Sequence, residues 1–458
     1  MRPLLIRSLV ALAVTAAFSS TALAAADPLP RKAALGIQLN PGPGGTSVVV
    51  GNAFPGGTAA SLGVRNGDTI RAVNGKPVAS PDDVVAIARA LHAGAPVTFD
   101  LTRAGAPLTV SGKAMPRPFE QYRGATVDYG SLPFRDGRLR DVLVMPEAPG
   151  DAPVLFYIQG YSCGSIEGAP AGSFYHRLGE ELIARGIGFY RVEKLGEGDS
   201  IGSLKCVDAD FAAELEGFKA AYRHLLKERK IAPERIFMLG HSMGGIQAPF
   251  LAAETAPRGV AAYGTVVRNW ADYHHDLDAT QNFLIGGADP AQTARDSEAN
   301  RDLFRLFYFE KMSPAEIVKA RPDFADALRN GFAWDGKEGM FGRHYKFAQQ
   351  LAALELIDAW KKSKTNVLAL YGESDMVALT DVDHRYLADI ANYWRPGSGT
   401  YVVIADTGHG MVLLGTRAAI RERNRAGGPP LEGEFNPKVA DALSDWIKAS
   451  LAKPPLAG

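Results

Sequence analysis

Apolar and polar positions change their rhythm along the chain in a way that separates two units. Over residues 33–113 the apolar runs are short and broken by Gly, Pro and Asn. Runs at 46–50, 68–73 and 96–102 predict strands. Ser80-Pro81-Asp82-Asp83 supplies a cap and early acidic charge for one amphipathic helix. Pro116-Arg117-Pro118 reads as a linker. Beyond about residue 120 the runs become apolar throughout: 154–158, 188–192, 235–239, 260–266, 366–371 and 400–404, alternating with helical patterns that include 173–185 and 209–228. Strands apolar on both faces and alternating with helices predict a mostly parallel sheet covered on both sides. The segments at 124–145 read as an antiparallel start to it. Between about 268 and 362 the alternation stops, and an insertion of that length predicts a helical cap over a functional site.

Composition adds three points. With 458 residues, two domains are expected. Fifty acidic residues balance fifty basic ones, so no charge excess points to nucleic acid or to an anionic membrane surface. The chain opens with Arg2 and Arg7, an apolar stretch at 9–18 and the small-residue site Ala22-Leu23-Ala24. This pattern predicts a cleaved signal peptide over 1–25 and a periplasmic or secreted protein. No later stretch is long and apolar enough to predict a membrane span. In an oxidising compartment the cysteines at 163 and 206 are expected to form a disulfide.

The candidate chemistry centres on Gly240-His241-Ser242-Met243-Gly244, placed between a predicted strand and a predicted helix. A serine there sits on a sharp bend, which lifts its hydroxyl clear of the sheet and aims the next N–H, that of Met243, at a developing oxyanion. Small residues are needed on both sides because side chains at 240 and 244 would collide with the strand and helix. The hydroxyl needs a base. His409, between Gly408 and Gly410 beyond the last strand, is the candidate. Asp375 follows the strand at 366–371 and is the candidate acid that orients the imidazole, ahead of Glu373, Asp381 and Asp383. The second oxyanion donor is expected from Gln159-Gly160-Tyr161-Ser162-Cys163, as the N–H of Tyr161 or, as runner-up, of Ser162. His241 is expected to point away from the site, and His274 and His275 to contact substrate or solvent. None has a partner at metal-ligand spacing, so no metal and no cofactor are expected.

With these motifs, residues 124–452 resemble the α/β-hydrolase family, whose order of serine, acid and histidine they follow. The resemblance implies acyl transfer to water. Gln159 stands where many members carry His. Residues 33–113 resemble a PDZ domain: Ala34-Leu35-Gly36-Ile37 falls at the carboxylate-binding loop, followed by Asn66-Gly67-Asp68 and Asn74-Gly75-Lys76. That resemblance implies capture of a peptide's C-terminus, with Leu35, Gly36 and Ile37 as the peptide-binding loop. The expected organisation is therefore a signal peptide, a small β-rich PDZ-like domain over 33–113, a linker over 114–123, and an α/β domain over 124–452 with a cap at about 268–362. The leading functional expectation is an exported serine hydrolase cleaving carboxylic esters or related acyl bonds. A serine peptidase fed by the PDZ-like domain and a non-catalytic peptide-binding protein are the alternatives. Trp270, Tyr273, Phe283, Phe332 and Trp334 are candidates to line the pocket under the cap.

Overall fold

A computed structural model describes residues 29–454 and 456, apart from 148–149, 169–171 and 428–432. The signal segment expected over 1–25 lies outside the described residues.

The first unit is an antiparallel sheet of β1 (Ile37–Pro41), β2 (Val48–Ala53), β3 (Thr69–Val73), β4 (Lys76–Pro77), β5 (Pro96–Arg103) and β6 (Ala106–Lys113), in the order β1-β2-β3-β5-β6 with β4 on β3. Helix α1 (Pro81–Ala90) begins at a capping box in which Ser80 and Asp83 satisfy each other's backbone N–H groups. Its Val84 enters a core with Val48, Ile70 and Phe99. Strands β1 and β6 fall outside the predicted apolar runs. In β6 exposed and half-buried positions alternate, so the apolar signal is diluted.

The second unit holds an eight-stranded sheet. In chain order its strands are β7 (Ala125–Phe134), β8 (Gly137–Pro146), β9 (Val154–Ile158), β10 (Gly188–Val192), β11 (Ile236–His241) and β12 (Gly259–Tyr263). A small hairpin of β13 (Gly339–Met340) and β14 (Arg343–His344) lies in the cap, and β15 (Asn366–Gly372) and β16 (Gly399–Ile404) complete the sheet. The spatial order is β16-β15-β12-β11-β9-β10-β8-β7. Strands β9 to β12, β15 and β16 are parallel, whereas β8 is antiparallel to both β10 and β7. The run expected over 260–266 ends as a strand at Tyr263, because the chain turns at Gly264 with φ +59°.

Helices α2 (Phe174–Ala184) and α7 (Pro437–Leu451) cover one face of the sheet, with Leu178, Leu182, Leu443 and Trp446 in the buried layer. Helices α3 (Phe211–Lys227), α4 (Met243–Ala252) and α6 (Val382–Trp394) cover the other, through Phe218, Ile246 and Leu387. The cap opens with α5 (Trp270–Gly286) and has its own core around Leu303, Phe307, Leu328 and Phe332. No helix among the described residues is long and apolar enough to cross a membrane.

The two units are joined by buried ion pairs. Arg31 contacts Glu167 and reaches Asp199 at 2.7 Å, and Arg117 of the linker holds Glu167 at 2.8 Å and the Ser165 hydroxyl at 2.9 Å. Such pairs contribute little net stability once desolvation is counted, but they fix geometry when every partner is present.

Candidate active site

Ser242 lies between the end of β11 and the start of α4, with φ 54° and ψ −118°. A non-glycine residue there is strained, and the surrounding packing must hold it. The glycines around it make that packing feasible. A Cβ at Gly240 would come 2.5 Å from the Gly244 carbonyl oxygen, and one at Gly244 would come 2.0 Å from that of Ile158. One at Gly160 would meet Ser242 Cβ at 3.1 Å and the His241 carbonyl oxygen at 3.3 Å, so the β9 loop packs directly against the serine bend. Met243 is the first residue of α4, and its N–H has no intrahelical carbonyl to bond.

The structure brings Asp375 and His409 together. His409 Nδ1 is 2.8 Å from Asp375 Oδ2, and Asp375 Oδ1 accepts from the Val377 and Ala378 N–H groups at 2.7 and 2.8 Å. Burial opposes ionisation of Asp375, but the imidazole and these N–H groups outweigh it and hold the carboxyl below its ordinary range. Gly264 closes the gap behind the pair: a Cβ there would lie 2.9 Å from both Asp375 Oδ2 and His409 Nδ1. The Ser242 hydroxyl lines the adjoining cavity and has no hydrogen-bond partner among the described residues. The rival acids have other duties. Asp383 binds Arg268, Asp381 binds Arg385 and Tyr401, and Glu373 accepts from the Asp406 N–H.

His241 does point away from the cavity, but it is not idle. Burial, with His409 beside it, pushes its pKa down to about 4, so it is neutral. It donates from Nε2 to the His409 carbonyl at 2.7 Å and accepts at Nδ1 from the Tyr157 hydroxyl at 2.8 Å. It thereby steadies the loop that carries the candidate base.

The loop holding Tyr161 rests on a buried charge cluster that the sequence did not suggest. Lys194 donates to the carbonyls of Gly160 at 2.5 Å and Ser162 at 3.3 Å, and pairs with Glu214 at 3.1 Å. Arg343 binds Glu214 at 2.7 Å, the Tyr161 carbonyl at 3.0 Å and the Cys206 carbonyl at 2.9 Å. Burial lowers the Lys194 pKa to about 8 against the pull of Glu214. Cys163 and Cys206 are bonded, with Cα atoms 5.7 Å apart, which ties the same loop to the segment after β10.

Ser242, Tyr161 and Met243 all face one cavity of about 430 Å³ under the cap. Trp270 and Tyr273 line it as expected, and so does His274. Three expectations are corrected. Phe332 is buried in the cap's own core, Trp334 packs against that core, and Phe283 lies beneath the Arg421 guanidinium. His275 faces Phe304 and Ser297 rather than the cavity. Leu277, Asp278 and Gln281 of α5 complete much of the wall, on a helical spacing too weak to single out in the sequence, together with Phe341 from the turn of the β13–β14 hairpin. Cys163, Glu197 and Cys206 are the cluster of metal-ligand types among the described residues, and two of them are consumed by the disulfide.

In the first unit Gly36 adopts φ +61°, and a Cβ there would lie 2.6 Å from Gly57 Cα. Leu35, Gly36 and Ile37 line a separate groove of about 310 Å³ beside α1.

Comparison with known proteins agrees with this architecture. Residues 160–423 match the model of the "Alpha/beta hydrolase family", and residues 49–103 match that of the "PDZ domain". A stretch of 82 residues is 42% identical to the magnetosome formation protease MamE of Magnetospirillum gryphiswaldense, spanning 18% of this chain and only 10% of that protein. Similar solved structures include Est1E of Butyrivibrio proteoclasticus with ferulic acid bound, at 17% identity and TM-score 0.43 over 69% of this chain and 97% of that one. Proline iminopeptidase of Mycobacterium smegmatis is similar at 15% identity and TM-score 0.42, over 71% and 99% of the two chains.

Proposed function

The chain belongs to the alpha/beta hydrolase family, and on that premise we propose that it is an exported serine hydrolase of carboxylic esters or related acyl bonds. The observation that carries the proposal is the Asp375–His409 pair at 2.8 Å, held behind a serine on a strained bend. Ser242 Oγ attacks the acyl carbon while His409 Nε2 takes its proton. Asp375 holds the imidazole by Nδ1–H and stabilises the imidazolium. The negative charge on the carbonyl oxygen falls to the N–H groups of Met243 and Tyr161. Collapse expels the alcohol, which takes the proton from His409, and water then releases the acid by the same steps in reverse roles. Catalytic hydrogen bonds are commonly long in the unliganded state and tighten when substrate is bound, so the free Ser242 hydroxyl fits the scheme. The export part of the proposal rests on the residues at 1–25 and fits the Cys163–Cys206 bridge, since oxidising compartments preserve disulfides.

A fluorophosphonate probe tests this reading. The folded protein should be labelled, and Ser242→Ala should abolish labelling and lower kcat by about 10⁶-fold without moving the melting temperature. Folded protein that stays unlabelled sinks the proposal and favours a binding role. The second reading, a peptidase on the same serine, is favoured by the shared wall between the peptide-type groove and the hydrolase unit. Higher kcat/KM on peptide anilides than on p-nitrophenyl esters would select it.

A further inference from the structure

The cavity under the cap carries a charge that hydrolysis at Ser242 does not use. Helix α5 turns one stripe toward that cavity, at positions 270, 273–274, 277–278 and 281–282, on the spacing of a single helix face. Asp278 lies on this stripe, one turn beyond His274 and, at 1.5 Å per residue, about 12 Å along the axis from Trp270. It is half-buried, and it forms no ion pair among the described residues. Its Oδ2 accepts from the neutral Asn300 amide at 3.3 Å, and no described residue bonds to Oδ1. Neighbouring acids that face solvent do have cations: Asp276 of the same helix is held by Arg268 at 3.1 Å, and Glu298 by Arg301 at 2.6 Å. A carboxylate drawn partly out of water with no counter-charge is costly, so the charge that matches Asp278 is expected to arrive with a ligand.

The rest of the wall does not supply it. Among the described residues that line the cavity there is no Lys or Arg. Arg421 stands over Phe283 and Arg425 beside Gly287, both off the cavity face of α5. His274 is neutral, because burial first and His275 second push its pKa down to about 4, and its Nδ1 is taken by the Tyr308 hydroxyl at 2.5 Å. What the wall adds instead is aromatic rings, those of Tyr161, Trp270, Tyr308 and Phe341, whose faces attract cations. One carboxylate, several π-faces and no positive group make a cavity whose potential favours a cation.

We propose that the substrate of Ser242 carries a primary ammonium group remote from the bond that is cut, and that Asp278 is the residue that selects it. The ammonium pairs with the free Asp278 oxygen beside the aromatic rings. The chain between it and the acyl carbon lies against Ile246, Val266 and Leu277 of the same cavity. An alkylammonium keeps its charge at neutral pH. The proposal deepens the hydrolase reading of Ser242 and rests on it. Because the contact is far from the reacting atoms, it is made equally in ground and transition states, so its loss should appear in KM rather than kcat.

The test uses the full chain and p-nitrophenyl esters of ω-amino acids with five, six or seven methylenes. Each has isosteres in which the ammonium is replaced by methyl, hydroxyl or carboxylate. Acetate esters of ω-amino alcohols of the same lengths, followed by pH-stat beside their methyl isosteres, ask whether the cation belongs to the alcohol half instead. On one half, at one length at least, the ammonium ester should exceed its methyl isostere at least about tenfold in kcat/KM, with hydroxyl between them and carboxylate last. The advantage should sit in KM and shrink between 20 mM and 500 mM salt, by about the screening expected of a partly exposed pair. Asp278→Asn should remove it, leave the methyl ester within about twofold, and improve the carboxylate ester. Preference for methyl, equal rates for hydroxyl and ammonium, or an unchanged order in Asp278→Asn overturns the proposal. If that variant does not fold, the charge series and its salt dependence in the wild type make the same decision. Fluorophosphonate labelling separates the two failures. Labelled protein without a charge preference overturns the cation site alone, whereas folded protein that is neither labelled nor active overturns the hydrolase reading and the substrate proposal with it.

Discussion

Two structures converge on the small volume in front of Ser242, and they are built on opposite principles. On one side is the bend at Gly240–Gly245, which contains no charge and works by exclusion. Its glycines let β11, α4 and the β9 loop approach so closely that a Cβ at Gly240 or Gly244 would strike backbone and one at Gly245 would strike the Thr265 side chain. On the other side is the support of the 159–163 loop, which works by attraction. Lys194, Glu214 and Arg343, buried together, hold three carbonyl groups of that loop and a fourth, that of Cys206. The difference shows that geometry at one candidate site can be fixed either by steric necessity or by a complete set of buried charges, and that the two fail differently. A bend held by sterics fails when an atom is added. A loop held by charges fails when one partner is removed, because the others remain buried and unmatched.

The largest expected effect is therefore at the anion of the cluster. Glu214 accepts from Lys194, Arg343 and the Gln247 amide. Glu214→Gln leaves two buried cations without a counter-charge and should cost about 3–5 kcal/mol of stability. Chemical denaturation checks it. A loss below about 1 kcal/mol would mean that the cluster is hydrated or rearranged, and the contrast with the bend would disappear.

Lys194→Met sharpens the comparison on the catalytic side. Glu214 keeps Arg343 and Gln247, so the charge balance survives, but the Gly160 and Ser162 carbonyls lose their donor. Lys194 is a positioning residue in this account. Its loss should lower kcat by about 10²-fold, the order seen when one oxyanion donor is lost, with KM little changed. Equal falls in kcat and stability across a Lys194→Met and Lys194→Arg pair would reduce it to a packing residue. Recovery by Arg would keep the positioning role.

The same contrast explains what could be read in the chain before its fold was known. The bend was legible because its rule is local: a strand, Gly-x-Ser-x-Gly, then a helix. Asp375 and His409 were legible as residues just beyond strand ends. Lys194, Glu214 and Arg343 were not, since each looks like an ordinary surface charge and Glu214 and Arg343 are 129 residues apart. His241 was read as pointing away, but its bond to the His409 carbonyl depends on two loops meeting in space. Gly264 looked like part of a strand, and only the packing of Asp375 and His409 against it shows why the chain turns there. The cap aromatics could not be sorted between pocket and core, because spacing along an irregular helical segment does not say which side faces the cavity.

The smallest expected effect tests where the charge-held region ends. Glu193 follows β10 and accepts from the Ser165 hydroxyl and the Ile166 N–H, the latter at 3.0 Å. Burial first, and Glu167 second, raise its pKa to about 8 against the pull of Arg117 and these hydrogen bonds. Its carboxyl is therefore neutral at pH 7 in the folded chain and ionised in the unfolded one, where its ordinary value is 4.5. The folded state holds a proton that the unfolded state has released, so stability should fall as pH rises from about 4.5 to about 8 and level off above, by at most about 1.4 kcal/mol per unit. Glu193→Gln keeps the shape of the neutral acid and cannot ionise. Its melting temperature should match that of the wild type near pH 5 and exceed it increasingly up to pH 8, by about 2–4 °C per kcal/mol for a domain of 150–250 residues, and less for a longer one. Parallel pH profiles for the two proteins would show Glu193 ionised at neutral pH, and the loop would then be braced by charge along its whole length rather than by charge at Lys194 and a neutral acid at Ser165.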